Sequence, residues 1–398
     1  MSAALLVLNA GSSSLKFSVY DNTSGALVCR GQIAAAAGTV SLQASDSAAH
    51  LLVDRQVPAA TDPAGWPALL IAWMESSYPA IPLAAAAHRV VHGGPHYTTP
   101  VLIDAEVLAE LYRLTPLAPL HQPQALAAIA KLLESHPALR QIACFDTAFH
   151  RTLPQVERCF ALPRALSAEG LRRYGFHGLS YEYIATRLPD LLGRRMASGR
   201  VVVAHLGAGA SMCALKDGRS VATTMSLTPL DGLPMATRCG AIDPGVVLYL
   251  LQEKAMSADQ VADLLYHGSG LLGISGVSAD MRTLLASEAI EAVAAVDLFV
   301  YRIGRELGSL AAALGGIDAL IFTGGIGEHA VQIRERVCDD AGWLGIRVDH
   351  AANATHGPRL THADSAVSAW VIATDEDEMI MRHSRRLLHQ AAVPTTAG

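Results

Sequence analysis

Residues 201–225, VVVAHLGAGASMCALKDGRSVATTM, contain three short apolar runs separated by two glycine-containing turns. Each run has the length of a β-strand, and turns of this size join neighbouring antiparallel strands. The stretch therefore predicts three successive strands, over residues 201–205, 211–215 and 220–225.

The same pattern occurs about half a chain earlier. Apolar runs at residues 5–8, 15–20 and 26–33 are separated by turns at 11–14 and 21–25. A repeat spaced this widely is too long for a solenoid and indicates a duplicated domain.

Each strand triplet is followed by alternating helices and strands. Helical spacing of apolar residues covers residues 104–113, 122–135, 245–254, 257–266, 287–314 and 376–390, and buried strands are predicted at 141–145 and 319–323. We predict an α/β fold of two βββαβα domains with the active site in the cleft between them, since ligands bind beyond the carboxyl ends of such strands. The expected domains are residues 1–150 plus 376–398, and residues 151–375.

Composition excludes several classes of protein. Of 398 residues, 51% are hydrophobic and 17% charged, which is typical of a globular protein, and the net charge of −6 includes no basic stripe for nucleic acid. Six scattered cysteines do not form a disulfide framework. We expect no membrane span and no signal peptide, and therefore a cytoplasmic location.

Two polar residues follow predicted strands in the first half. Arg89 ends an alanine-rich strand, where a guanidinium needs either an anionic ligand or a structural ion pair. Asp146 follows the strand at 141–145, where a carboxylate could hold Mg²⁺, orient a nucleophile or cap a helix. Residues alone leave these alternatives open.

Glycine-rich turns suggest phosphate contacts. Residues 9–16, NAGSSSLK, and residues 207–209 let backbone N–H groups approach a phosphate, although an ordinary hairpin turn would look similar. No Gly-Lys pair occurs, which excludes a Walker A loop. A Rossmann fingerprint is rejected because Gly207 opens a hairpin rather than a helix. The loop at 173–180 is expected to present His177 before a helix capped by Ser180.

Taken in order along the chain, these segments resemble the acetate kinase family, within the acetate and sugar kinase/Hsp70/actin superfamily. The resemblance extends from Asn9 to about Arg382 and rests on residues 9–16, 173–180 and 203–211. It implies an actin-like fold for both domains.

The resemblance also implies roles for individual residues. The implied catalytic residues are Arg89, Asp146, His177 and Arg238. Val91, Leu120 and Pro229 would form the small apolar substrate pocket, with Arg89 binding the carboxylate. The implied ATP-binding residues are Lys16, His205, Gly207, Ala208, Gly209, Gly324, Gly325 and Gly327. Asn9 and Glu376 would lie at the Mg²⁺ site, where Mn²⁺ is an alternative ion.

The implied reaction is reversible transfer of the ATP γ-phosphoryl group to acetate, by a homodimeric enzyme. Alternatives are a propionate or butyrate kinase of the same family, and an actin- or Hsp70-like ATP-binding switch. The apolar Val91 and Leu120 segments argue against a sugar kinase. Several positions depart from the family's frequent residues, namely Gln122, Ala208, Ser226, Ala236, Ala241 and His329.

Overall fold

The computed structural model describes residues 3–11, 14–36, 39–57 and 62–392. Two segments discussed from the sequence lie outside these residues, namely Ser12 and Ser13 of the glycine-rich turn and the tail at 393–398. The chain divides into two compact units, Met1–Ala148 with Asp375–Gly398 (unit 1), and Phe149–Thr374 (unit 2). Within the described ranges, no helix has the length and apolar character needed to span a membrane.

Unit 1 contains eight described strands and four described helices. The strands are β1 (Ala4–Ala10), β2 (Ser14–Asp21), β3 (Leu27–Ala36), β4 (Thr39–Asp46), β5 (Leu51–Val57), β6 (Leu83–Val90), β7 (Val101–Leu102) and β8 (Gln141–Phe145). The helices are α1 (Trp66–Ser77), α2 (Ala105–Arg113), α3 (Gln122–Ser135) and, at the end of the chain, α16 (Glu376–Ala392).

The sheet of unit 1 has the order β5-β4-β3-β2-β1-β6-β8-β7. β1, β6 and β8 are parallel neighbours towards one side of this sheet and are almost wholly buried, which explains their continuous apolar sequences. Leu6 and Leu8 pack in one core cluster with Trp66 and Leu132. Helices α3 and α16 both contact β1 and β6.

Three strands of this unit were not predicted from the sequence, namely β4, β5 and the two-residue β7. Helices and strands were expected to alternate after the third strand, but β4 and β5 extend the antiparallel run to five strands. The apolar run of β5 is only three residues long, Leu51 to Val53, and the polar residues 54–56 follow it, so the pattern of this mostly exposed edge strand is weak.

Unit 2 contains five strands and twelve helices within its residues, all of which the structure describes. The strands are β9 (Arg200–Leu206), β10 (Ala210–Lys216), β11 (Arg219–Thr223), β12 (Ala319–Thr323) and β13 (Ser368–Val371). The helices are α4 (Gln155–Arg158), α5 (Arg164–Ala168), α6 (Gly178–Leu192), α7 (Arg194–Ala197), α8 (Pro244–Gln252), α9 (Ala258–His267), α10 (Gly270–Ser275), α11 (Met281–Leu285), α12 (Ile290–Leu314), α13 (Gly324–His329), α14 (Val331–Asp340) and α15 (His350–Ala354).

The sheet order in unit 2 is β11-β10-β9-β12-β13. It reproduces the order β3-β2-β1-β6-β8 inside the sheet of unit 1, with an antiparallel triplet followed by parallel strands in both. The predicted duplication of an α/β unit is confirmed. The glycine-rich residues 324–327, which the sequence suggested as a turn after the strand at 319–323, instead form the first turn of α13.

Candidate active site

In unit 1, the polar residues lie where parallel strands end. β1 ends at Ala10, β6 at Val90 and β8 at Phe145, and in register Leu8 pairs with His88 and Arg89 with Cys144. This register places Asn9, Arg89 and Asp146 along the carboxyl edge of the three strands, where α/β proteins bind ligands. Lys16 is exposed on β2, directly opposite Asn9.

Arg89 forms a close ion pair with Asp146. Arg89 Nη2 donates to Asp146 Oδ2 at 2.5 Å, and Nε donates to both carboxylate oxygens at 3.1 Å. Glu376 Oε2, in the first turn of α16, lies 3.5 Å from Arg89 Nε. The structural ion pair that the sequence left open is therefore present. The pair also fixes the guanidinium at the sheet edge, where it remains partly accessible.

Charges in this cluster affect one another. Burial alone would lower the pKa of Arg89, but the facing carboxylates of Asp146 and Glu376 overcome that effect and raise it. Burial raises the pKa of Asp377, which accepts a hydrogen bond from the Ser18 hydroxyl at 2.6 Å. Arg89 therefore remains a cation in a predominantly acidic group.

The residues implied to form the apolar substrate pocket are distributed over both units. Val91 and Leu120, in unit 1, are each half-buried. Pro229, in unit 2, is buried, and its carbonyl accepts a hydrogen bond from Arg238 Nη1 at 2.6 Å. Val91 follows Arg89 closely in the sequence of unit 1, and Pro229 precedes Arg238 in that of unit 2.

In unit 2, the turn between β9 and β10 brings three of the proposed residues together. A Cβ atom on Gly209 would lie 2.7 Å from Arg238 Nη2 and 3.3 Å from His177 Nε2, so only glycine allows both side chains to approach this turn. The Ala236 N–H donates to the Ala208 carbonyl at 3.1 Å, which joins the turn to the loop carrying Arg238. A cation and an imidazole thus meet at a backbone turn.

Arg238 is half-buried, and no acidic side chain in the described part of the chain forms an ion pair with it. Burial lowers the pKa of Arg238 to about 10, so the guanidinium stays charged at pH 7. A half-buried cation whose donor reaches only a carbonyl is well placed to receive an anionic ligand.

His177 lies in a left-handed backbone conformation, with φ at 55°, immediately before α6. Its Nδ1 lies 2.8 Å from Ser211 Oγ, which also contacts the Tyr181 hydroxyl at 2.5 Å. The His177 ring stacks on that of His205, with centroids 4.3 Å apart and planes inclined by 19°. Ser180 Oγ lies 2.8 Å from His205 Nδ1. Each of the two stacked rings is therefore held by one serine, His177 by Ser211 and His205 by Ser180.

The expectation that Ser180 caps α6 is wrong. The helix begins at Gly178, and its N-cap residue is His177, which makes no side-chain capping hydrogen bond. Ser180 instead directs its hydroxyl towards His205. The sequence pattern of a serine near a helix start does not distinguish these two roles.

The second glycine-rich segment lies beside the first because β9 and β12 are parallel neighbours, with His205 paired to Thr323. Gly324 has φ at +75°, and a Cβ there would lie 2.8 Å from the Leu206 carbonyl oxygen, so this position requires glycine. Glu328 Oε1 accepts hydrogen bonds from the N–H groups of Gly324 and Thr374, at 3.0 and 3.2 Å. The sequence analysis did not identify Glu328 or Thr374.

A cavity of about 830 Å³ opens between these glycine segments and α11. Its walls consist mostly of small and aliphatic residues, with a few polar side chains; they include Gly207, Ala208, Ala236, Asp280, Met281, Arg282, Leu285, Gly325, Ile326, His329 and Gln332. This size and character suit an organic ligand such as a nucleoside phosphate. The departures at Ala208, Ala236 and His329 all lie on its wall.

The residues expected at the metal site carry oxygen atoms that could act as ligands. Glu376 and Asp146 supply carboxylate oxygens and Asn9 an amide oxygen, the ligand types that Mg²⁺ prefers. Since Mg²⁺ usually keeps several waters and binds substrate phosphates, one or two protein ligands are enough. Among the described residues, the one tight three-residue group of His and acidic ligands lies elsewhere, on α14 and α15 (Glu335, Asp339 and His350).

Comparison with known proteins gives consistent relatives over the whole chain. The model of the acetokinase family matches residues 4–382. An acetate kinase of Rhodopseudomonas palustris is 57% identical over 393 residues, covering 97% of this chain and 99% of that protein. An acetate kinase of Rhizobium meliloti is 50% identical over 395 residues, covering 97% and 98% respectively.

Solved structures agree. A propionate kinase from Francisella tularensis superposes with a TM-score of 0.88 at 34% identity, covering 96% of this chain and 98% of its own. The acetate kinase of Porphyromonas gingivalis gives 0.85 at 34% identity, covering 97% and 100%. The fold is thus that of the carboxylate kinases with an actin-like ATPase architecture. The chain belongs to the acetokinase family.

Proposed function

We propose that this protein is an acetate kinase, which transfers the γ-phosphoryl group of ATP reversibly to acetate, giving acetyl phosphate and ADP. The near full-length identity to acetate kinases carries this proposal. It is supported by the meeting of Arg238, His177 and a glycine turn beside a cavity of nucleotide size.

The acceptor needs no general base. A carboxylate with a reference pKa of about 4 is already ionised at pH 7, so no proton has to be removed before attack. We therefore assign Asp146 to holding Arg89 in position rather than to proton abstraction. Its carboxylate accepts three hydrogen bonds from the Arg89 guanidinium.

The obstacle to reaction is repulsion between an anionic nucleophile and an anionic phosphoryl group, followed by charge on the equatorial oxygens in the transition state. Arg89 is assigned to the acetate carboxylate, and Arg238 and His177 to the transferring phosphoryl oxygens. Preorganised donors of this kind act through positioning and electrostatic stabilisation. Asp146 holds the Arg89 guanidinium in position, and Ser211 holds the His177 ring.

The γ-phosphoryl donor is assigned to the cavity in unit 2, with its phosphates beside the turn at 207–209 and the first turn of α13 at 324–327. Kinases of this kind require a divalent cation, and we assign Mg²⁺, or Mn²⁺, to the residues Asn9 and Glu376. The ion would neutralise charge on the phosphates. ATP as a substrate also favours a cytoplasmic location.

Acetate is proposed as the preferred acid because the family resemblance assigns the apolar residues Val91, Leu120 and Pro229 to the binding of a small substrate. One methylene changes binding by only about 1–3 kcal/mol, so the same family can also include enzymes that prefer propionate. The likeness to both acetate and propionate kinase structures makes propionate the second candidate substrate.

Trapping of acyl phosphate with hydroxylamine tests the proposed reaction. With MgATP and acetate, propionate or butyrate in turn, we expect acetyl hydroxamate to form fastest. Faster formation from propionate or butyrate would retain the family and correct the substrate. Binding of ATP without any hydroxamate would contradict a carboxylate kinase and favour an actin- or Hsp70-like switch.

We also propose a homodimer. Its support, besides the family resemblance, is the apolar surface of α8, none of whose residues is buried within the chain. Val246, Leu248 and Tyr249 are 44%, 53% and 52% exposed, which is unusual for adjacent large apolar residues of a monomer. A second copy of this chain would cover the surface.

Light scattering after size exclusion should therefore give twice the chain mass of 41.9 kDa. Tyr249→Glu should shift the protein towards the monomer because it places a charge on the apolar surface. Tyr112→Glu, at a residue of unit 1 that is 43% exposed, is the matched control and should leave the mass unchanged. A monomeric wild-type protein, or equal effects of both variants, would rule out dimerisation through α8.

A further inference from the structure

A chain of hydrogen bonds connects the end of unit 2 to His205. The Thr374 hydroxyl donates to Ser180 Oγ at 2.9 Å, and Ser180 Oγ lies 2.8 Å from His205 Nδ1. Thr374 is the last residue of unit 2, whereas Ser180 is fully buried in α6. Neither residue belongs to the glycine segments.

The direction of the first hydrogen bond fixes the second. Since Ser180 Oγ accepts a hydrogen bond from the Thr374 hydroxyl, the Ser180 hydroxyl can donate its own hydrogen bond to His205 Nδ1. In the neutral ring, Nδ1 is then the acceptor and Nε2 carries the hydrogen. Nε2 is the atom on the side of the β9–β10 turn, 4.0 Å from where a Cβ of Gly207 would lie.

Thr374 is itself held at both its backbone and its side chain. Its N–H donates to Glu328 Oε1 at 3.2 Å, and the same oxygen accepts from the N–H of Gly324 at 3.0 Å. Thr374 is thus linked to the segment at 324–327 through its backbone N–H and Glu328, and to Ser180 through its hydroxyl. One carboxylate oxygen thus connects the Thr374–Ser180–His205 chain to the glycine segment at 324–327.

We propose that Thr374 and Ser180 are positioning residues, which hold His205 as the Nε2–H tautomer so that Nε2 donates a hydrogen bond to a phosphate of the nucleotide. The proposal rests on the assignment of the nucleotide phosphates to the turn at 207–209. The stacked ring of His177 fixes the plane of His205, and the two hydroxyls fix which nitrogen carries its proton.

The first test observes the tautomer directly and needs no turnover. Nitrogen-15 NMR of the histidine side chains, with the His205 signals assigned from the His205→Gln variant, distinguishes Nε2–H from Nδ1–H. We expect Nε2–H in the wild type. Thr374→Val, which keeps the shape of the side chain but removes the hydroxyl, should give a mixture of both tautomers.

The second test separates positioning from a general structural role. We expect Thr374→Val to raise KM for ATP about 5- to 20-fold and to leave KM for acetate within twofold. Thr374→Ser, which keeps the hydroxyl, should have the wild-type KM for both substrates. Ser180→Ala should resemble Thr374→Val. Thr186→Val removes a hydroxyl from the same helix, where it donates to the Tyr183 carbonyl, and should change neither the tautomer nor KM.

The outcomes are distinguishable. An Nδ1–H tautomer in the wild type, or an unchanged tautomer in Thr374→Val, would overturn the proposal even if the enzyme makes acetyl phosphate as proposed. A changed tautomer with unchanged KM for ATP would overturn the positioning role. Absence of acyl phosphate in the wild type would contradict the proposed function, and binding of ATP measured by titration would then replace KM as the readout.

Discussion

Arg238→Ala is expected to lower kcat roughly 10²–10³-fold, the effect of removing one preorganised donor from a transition state. The reason is the position of the guanidinium, which lies against Gly209 and close to His177, and whose contact with the Pro229 carbonyl leaves further donors available. No carboxylate has to be displaced before these donors meet a phosphoryl oxygen. Lysine should restore little activity because it lacks the planar fork.

The measurement is steady-state acyl hydroxamate formation at saturating MgATP and acetate. Arg336→Ala, which removes an exposed arginine paired with Asp297 in the same unit, is the matched control and should retain wild-type turnover. Turnover of Arg238→Ala close to the wild type would contradict the assignment. Equal losses in both variants would point to general damage to unit 2.

Asp146→Asn is expected to reduce both stability and turnover. Removing one partner of a buried pair leaves an uncompensated charge, and since Glu376 remains 3.5 Å away we expect a loss near the lower limit, about 3 kcal/mol in free energy of unfolding. Without its bidentate partner, Arg89 is no longer fixed at the sheet edge, and kcat should fall roughly 10²-fold, as for a misplaced positioning group.

Urea unfolding and hydroxamate formation measure the two effects. Asp318→Asn is the control because it breaks another close Arg–Asp pair, with Arg200. The side chains of Asp318 and Arg200 are 31% and 38% exposed, so this variant should lose much less stability and keep its turnover. A stable but inactive Asp146→Asn enzyme would indicate a direct role in the reaction. An active one would remove Asp146 from the site.

The sequence predicted the features that depend on local pattern. Strands β1, β6, β8, β9 and β12 are short apolar runs followed by polar or glycine residues, so both the strands and the functional character of their ends were visible. The two matching triplets indicated the duplication of the domain, whereas the order of the strands in each sheet came from the structure. The roles of Arg89, Arg238 and His177 remain predictions.

The features that the sequence did not reveal depend on contacts between distant residues. Whether Arg89 pairs with Asp146 or with a ligand is decided by the register of β6 and β8, which no local pattern specifies. Thr374 lies 194 residues from Ser180, and its hydroxyl has no distinguishing neighbours in sequence. The exposed strand β5 was missed because its apolar run covers only three residues and is followed by three polar ones.

The return of the chain to unit 1 has a consequence for synthesis on the ribosome. Helix α16, which packs on β1, β6 and β8 and carries Glu376, is made last, after the whole of unit 2. Domains generally fold in order from the N-terminus, but here unit 2 can be completed at Thr374 while unit 1 still lacks a helix. The strands that contact α16 must wait, with apolar surface uncovered, for the last part of the chain. Unit 1 is begun first and finished last, which makes the nascent chain a candidate for chaperone binding during that interval.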